Sequence, residues 1–221
     1  MIDEVLKTTR CCLMVVDVQN DFCHENGAFS RLGMDVRSVQ QMVPRLLTLI
    51  KRTMAVGIPI IYIRTEHHPW TDSRVWTARN VVKKGAEIVP ICQSGTWGTE
   101  FYKVSPTDKD YVITKHRYSA FYGTELDLIL RSKEIESIIL TGVSTNVCVE
   151  TTARDAMMRD YRVILLEDCT ATVSEEEHQA ALNNVRKYFG MVCTSQEIFS
   201  VWEGKESVSR IGEKRIEIND D

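Results

Sequence analysis

The chain has 221 residues, of which 43% are apolar and 26% charged, and a net charge of −4. Its length suits one domain with a single hydrophobic core, and its composition is that of an ordinary globular protein rather than a disordered or fibrous one. The acidic balance, with no lysine and arginine cluster interleaved with aromatics, argues against nucleic acid as a partner, and no apolar run approaches membrane-spanning length.

The opening MIDEVLKTTR is mixed in charge and lacks the apolar stretch of a signal peptide, so a cytoplasmic protein is expected. Cys11, Cys12, Cys23, Cys92, Cys148, Cys169 and Cys193 are odd in number and fall mostly in or beside apolar segments, as buried thiols do in a reducing compartment. With no C-x-x-C pair and no Cys/His cluster at zinc spacing, neither a disulfide framework nor a structural metal is expected.

In chain order, apolar runs occur at 13–18 (LMVVDV), 58–65 (IPIIYIRT), 110–115 (DYVITK), 137–143 (SIILTGV), 162–169 (RVILLEDC) and 190–195 (GMVCTS). Runs that are apolar on both faces, joined by helical crossovers instead of tight turns, predict a mostly parallel six-stranded sheet with helices on both sides. The fold class is therefore α/β, a three-layer α-β-α sandwich forming one domain over 1–221.

The first long crossover helix is placed at Pro44–Val56, with proline in its first turn and Gly57 closing it. Thr124 with Asp127, and Ser174 with Glu177, have capping-box spacing for two further helices, the second ending at Gly190. The stretch 66–109 lacks sustained periodicity and is rich in tryptophan, glycine and histidine, which predicts a loop covering the site. The polar tail of about 203–221 is expected either to fray or to dock on another subunit.

In open parallel sheets ligands bind beyond the carboxyl ends of the strands. Three polar residues stand there: Asp17 after LMVV, Lys115 after VIT, and Cys148 shortly after SIILTGV. An aspartate closing an apolar strand needs a partner, and Lys115 is the natural one. The residues after Cys148, VETTARDAMMRDY, suit a helix, so the thiol is expected at a helix N-terminus, where the dipole and a nearby lysine favour the thiolate. Each residue also has a plainer reading. A cysteine in apolar surroundings is usually core, and a buried aspartate and lysine can be a structural ion pair.

Together VVDVQNDF (15–22), VITK (112–115), TGVSTNVCVETTARDA (141–156) and LLEDCTAT (165–172) closely resemble the isochorismatase-like cysteine hydrolases. The resemblance implies a catalytic triad of Asp17, Lys115 and Cys148, a non-proline cis peptide between Val143 and Ser144, and an oxyanion hole from the N–H groups of Ser144 and Cys148. Isochorismatases proper cleave a vinyl ether and in some members lack the cysteine, so Cys148 favours the amidase branch. KHRYSAFYGTELDLILRSKEI (115–135) and TNVCVE look most like ureidoacrylate and biuret hydrolases, which implies a small ureide substrate, no cofactor, and a dimer or tetramer.

Asn20, Phe22, Tyr118 and Phe121 are candidate pocket residues, each equally suited to packing. The nicotinamidases of this family hold a metal with an aspartate and two histidines. Here Glu66 stands in the aspartate's place and His68 matches one histidine, with no second before His116, so no metal is expected and Glu66, His67 and His68 are read as loop residues available to substrate.

Overall fold

The computed structural model describes residues 10–78 and 89–204. Six strands, β1 (Cys11–Val16), β2 (Ile60–Thr65), β3 (Tyr111–Lys115), β4 (Ser137–Val143), β5 (Arg162–Ala171) and β6 (Met191–Cys193), form one sheet in the order β3-β2-β1-β4-β5-β6, all parallel. The central strands β1 and β4 are buried along their whole length, which is why CCLMVV and SIILTGV are apolar without alternation.

The helices are α1 (Asn20–Cys23), α2 (Ala28–Arg31), α3 (Arg37–Ala55), α4 (Arg74–Ala78), α5 (Leu126–Ser132), α6 (Glu150–Met157), α7 (Glu175–Asn184) and α8 (Ser195–Trp202). Alternate residues of β1 serve opposite layers. Cys11, Leu13 and Val15 pack with Met42, Leu46 and Leu49 of α3 and with Ile198 and Phe199 of α8. Cys12, Met14 and Val16 pack with Leu126 and Leu130 of α5, Ala153 of α6 and Leu182 of α7. This division of one strand between two cores makes the molecule the expected three-layer sandwich.

Two helix starts differ from the sequence reading. Helix α3 begins at Arg37 and carries Pro44 in its interior. Asp35 opens it, accepting from the Arg37 N–H at 3.0 Å, and the buried stripe Val39, Met42, Val43, Leu46, Leu49 and Ile50 offsets the one backbone hydrogen bond that proline removes. Thr124 does not cap α5 through a box with Asp127. Its hydroxyl donates to the Ala120 carbonyl at 2.5 Å and accepts from Leu126 N–H at 3.3 Å, while Asp127 pairs with Arg131 and Tyr161.

Ser174 does cap α7, accepting from Glu177 N–H at 3.3 Å, and a π-type turn at Val185–Phe189 carries the chain to Gly190. A complete capping box stands instead at α8: Thr194 accepts from Glu197 N–H at 3.3 Å and Glu197 Oε2 accepts from Thr194 N–H at 2.7 Å. Thr194→Ala is expected to cost about 1 kcal/mol and lower the thermal midpoint by about 2–4 °C, measured by calorimetry.

Within 66–109 the described residues form α4 and a short 3-10 turn, Trp97–Thr99; residues 79–88 lie outside the description, as does 205–221 of the tail. Buried Asp21 holds this loop to α1. Its Oδ2 accepts from Cys92 N–H at 2.6 Å and its Oδ1 from Ala28 N–H at 3.0 Å. Gly98 lies against the same carboxylate, where a Cβ would meet Oδ2 at 2.1 Å.

Candidate active site

The pairing register brings the site together. Val16 of β1 lies opposite Ile63 of β2 and Gly142 of β4, and Thr65 lies opposite Lys115 of β3, so four adjacent strands end at one edge. The close approach of β1 and β4 requires Gly142, whose φ is +105° and whose Cβ would stand 2.0 Å from the Val16 carbonyl oxygen. Asp17 follows β1 with φ +51°, the left-handed region that aspartate tolerates better than most residues.

At this edge Asp17, Lys115 and Cys148 meet. Lys115 Nζ is fully buried, 2.7 Å from Asp17 Oδ2 and 3.4 Å from Cys148 Sγ. Lys115 also donates to Thr65 Oγ1 at 2.6 Å, and that hydroxyl donates to Asp17 Oδ1 at 3.1 Å. Thr65 is a member of the cluster that the sequence reading missed; a threonine ending a β-strand carries no signal of its own, because threonine is common in strands. Gln19 fixes it, accepting from Thr65 N–H at 2.7 Å and donating to the carbonyls of Thr65 at 2.9 Å and Thr99 at 2.8 Å.

Burial alone would depress the Lys115 pKa, but the Asp17 carboxylate and Cys148 outweigh it and hold the ammonium above its ordinary value of 10.5. Cys148 runs the other way. Burial pushes the thiol up to about 12, with Lys115 pulling down and Asp17 pushing up. Desolvation and the facing carboxylate thus oppose the thiolate expected from the sequence, while the lysine acts in its favour. The cysteine also sits just before the α-helix, in a π-type turn at Thr145–Val149, where the N–H groups of Val147 and Val149 both donate to the Ser144 carbonyl, at 3.1 and 3.2 Å.

The peptide between Val143 and Ser144 is cis, as the resemblance implied. Helix α7 braces the turn that follows: Thr145 Oγ1 and His178 Nδ1 are 2.9 Å apart, and Asn146 Nδ2 donates to Glu177 Oε2 at 3.1 Å. Ser144 and Cys148 are both buried in that turn.

The other nominated residues are spread around this centre. Asn20 is buried and donates to the Trp97 carbonyl at 2.9 Å. Phe22 packs edge-on against Phe29, with ring centres 4.9 Å apart, in the core shared with α3. Phe121 lies in the opposite core, stacked on Tyr161 at 5.8 Å. Tyr118 is partly exposed and leans on Trp76 of α4 at 4.8 Å, while the Arg117 guanidinium covers Trp76 at 4.6 Å.

Glu66, His67 and His68 diverge. The Glu66 carboxylate is 3.8 Å from the Arg64 guanidinium, His67 Nδ1 is 2.9 Å from Asp72, and His68 Nδ1 accepts from Trp70 N–H at 3.2 Å. This arrangement does not fit a metal centre, and among the described residues no three His, Cys, Asp or Glu side chains converge to hold one.

A parallel sheet between two helical layers thus gathers an aspartate, a lysine and a cysteine at its carboxyl edge. The isochorismatase domain matches residues 11–197, and the chain belongs to that family. It is 34% identical over 192 residues to the ureidoacrylate amidohydrolase RutB of Methylobacterium radiotolerans, covering 81% of this chain and 74% of that one. Among solved structures it resembles a cysteine hydrolase from Pseudomonas syringae pv. phaseolicola, with a TM-score of 0.80 and 28% identity over 90% of this chain and 95% of that one. It also resembles N-carbamoylsarcosine amidase from Thermoplasma acidophilum, with a TM-score of 0.68 and 30% identity over 84% of this chain and 96% of that one.

Proposed function

We propose that the chain cleaves a C–N bond of a small ureide or carbamoyl compound through a covalent thioester on Cys148, releasing ammonia or an amine. It is an enzyme, a hydrolase of carbon–nitrogen bonds other than peptide bonds, in keeping with the amidohydrolases RutB and N-carbamoylsarcosine amidase that it resembles. The observation that carries the mechanistic reading is the buried contact of Asp17, Lys115 and Cys148. A fully desolvated ion pair beside a thiol is a weak source of stability, and perturbed groups of this kind concentrate at catalytic sites.

The reaction follows from the charges. At rest the carboxylate and ammonium cancel and the thiol is neutral. As Cys148 Sγ forms its bond to the substrate carbonyl carbon, the thiol proton passes to Asp17, and the oxyanion is held by the N–H groups of Ser144 and Cys148. The C–N bond then breaks, and Asp17 returns the proton to the leaving nitrogen. Water attacks the thioester and gives a proton to Asp17; the thiolate leaves, shielded by Lys115, and is reprotonated. Lys115 keeps its charge throughout, so every proton moves on the carboxyl group, and no cofactor is needed.

Tyr118 with Trp76 supplies an aromatic wall, while Asn20 and Glu66 hold the loops that frame the pocket and Phe22 and Phe121 pack behind it. Soluble dimers or tetramers acting in the cytoplasm complete the reading. The test is ammonia release by the purified protein across ureidoacrylate, biuret, N-carbamoyl amino acids, nicotinamide and aliphatic amides. A ureide is expected to be preferred by at least about tenfold in kcat/KM, a difference that a site built to hydrogen-bond its substrate readily supplies. Preference for nicotinamide would overturn the substrate class.

A further inference from the structure

We propose that Thr65 is a positioning residue for proton transfer: its hydroxyl, turned by Lys115, occupies Asp17 Oδ1, so that the catalytic proton is carried on Asp17 Oδ2. The proposal rests on the thiol-to-carboxylate transfer proposed above. It follows from counting donors and acceptors around one buried ammonium.

Lys115 Nζ has three N–H groups and no lone pair. They face three partners: Thr65 Oγ1 at 2.6 Å, Asp17 Oδ2 at 2.7 Å and Cys148 Sγ at 3.4 Å. Because Thr65 Oγ1 accepts from the ammonium, its own hydrogen must point elsewhere, and the acceptor within reach is Asp17 Oδ1 at 3.1 Å. The direction of this chain, from Lys115 through Thr65 to Asp17, is fixed for as long as Lys115 is charged. A proton placed on Oδ1 would meet the threonine hydrogen head-on. Oδ2 meets Lys115 through an ion contact without a directed hydrogen bond, and the ammonium can turn that N–H to the thiolate as it forms, so Oδ2 is the oxygen that takes and returns a proton.

The backbone of Thr65 is held on both sides by the Gln19 amide, so the hydroxyl is placed by a rigid strand end. The other titratable groups facing Asp17 are the thiols of Cys23, from α1, and Cys92, from the loop after residue 88. Burial pushes both thiols far up, so they stay neutral and do not compete for the proton.

The test compares Thr65→Val, which keeps shape and loses the hydroxyl, with Thr65→Ser, which keeps the hydroxyl. On a substrate that the wild type turns over, Thr65→Val is expected to lower kcat on the order of 10- to 100-fold with KM within about threefold, the mark of a misplaced reacting group rather than weaker binding. Thr65→Ser is expected to stay within about threefold of wild type. A second readout needs no substrate: the rate of iodoacetamide alkylation at Cys148 at neutral pH, followed by peptide mass spectrometry. A carboxylate that loses its orienting donor is less well placed to take the thiol proton, so the rate is expected to fall by about tenfold in Thr65→Val and to return in Thr65→Ser.

An unchanged alkylation rate in Thr65→Val, or the same change in both variants, would overturn the proposal and make Thr65 a packing residue. If the wild type turns over no amide, the function proposed above fails, and the alkylation rate still decides the role of Thr65.

Discussion

Cys148→Ala is expected to lower kcat/KM by at least about 10³-fold on any amide that the wild type hydrolyses, and to leave the fold in place. The two halves of this expectation have different physical sources. Activity falls because the attacking sulfur is gone, and the hydroxyl that faces the same ammonium, that of Thr65, is committed to Asp17. Stability holds because Lys115 keeps its two closer partners, Asp17 Oδ2 at 2.7 Å and Thr65 Oγ1 at 2.6 Å, and loses only the 3.4 Å contact to sulfur. The thermal midpoint is expected to move by no more than a few degrees. Mass spectrometry of quenched turnover checks the chemistry directly: the wild type is expected to carry a carbamoyl or acyl adduct on the Cys148 peptide, and the alanine variant none. Full activity in the variant would exclude the thioester.

How far the site could be read from sequence depended on where its members sit. Asp17, Lys115 and Cys148 each follow an apolar run, and a charged or reactive residue at the end of a buried parallel strand has few structural reasons to be there. Thr65 occupies the equivalent place at the end of β2 and gave no such signal, because threonine is an ordinary strand residue. Gln19 and Asp21 were hidden for another reason. They act on backbone groups of 65, 92 and 99, up to 80 positions away in sequence, and a loop's unpaired N–H groups become visible only once the chain is folded.

The fold was legible where burial is two-sided, as in β1 and β4, and less so at helix starts. Pro44 in the interior of α3 shows that a continuous apolar stripe of six buried residues can outweigh a local breaker. Phe22 and Phe121 illustrate the converse limit: an aromatic beside a strand-end motif looks the same in sequence whether it faces a crevice or a core. A position before a helix likewise says nothing about desolvation, the largest influence on the Cys148 thiol here.

Lys115→Met is expected to cost about 3–5 kcal/mol, far more than a surface substitution, because it strands the Asp17 carboxylate in a dry site. The ammonium and the carboxylate are almost wholly removed from water, so neither can be compensated by solvent when the other is removed. Asp17→Asn in the same background removes the stranded charge, and Asp17→Asn/Lys115→Met is expected to recover most of the loss while remaining inactive. Urea denaturation of the two single variants and the double variant closes the cycle, and a coupling energy of more than about 1 kcal/mol is the expected result. The pH dependence has a definite sign. The folded-state pKa of Lys115 is raised above 10.5, so its contribution is complete below that value and is lost only as pH rises through the raised one. The wild-type excess stability over Lys115→Met should therefore hold through neutral pH and shrink only in strongly alkaline solution. A Lys115→Met protein as stable as wild type would mean that the buried pair is not closed in the folded protein, and the contact on which the mechanism rests would fail.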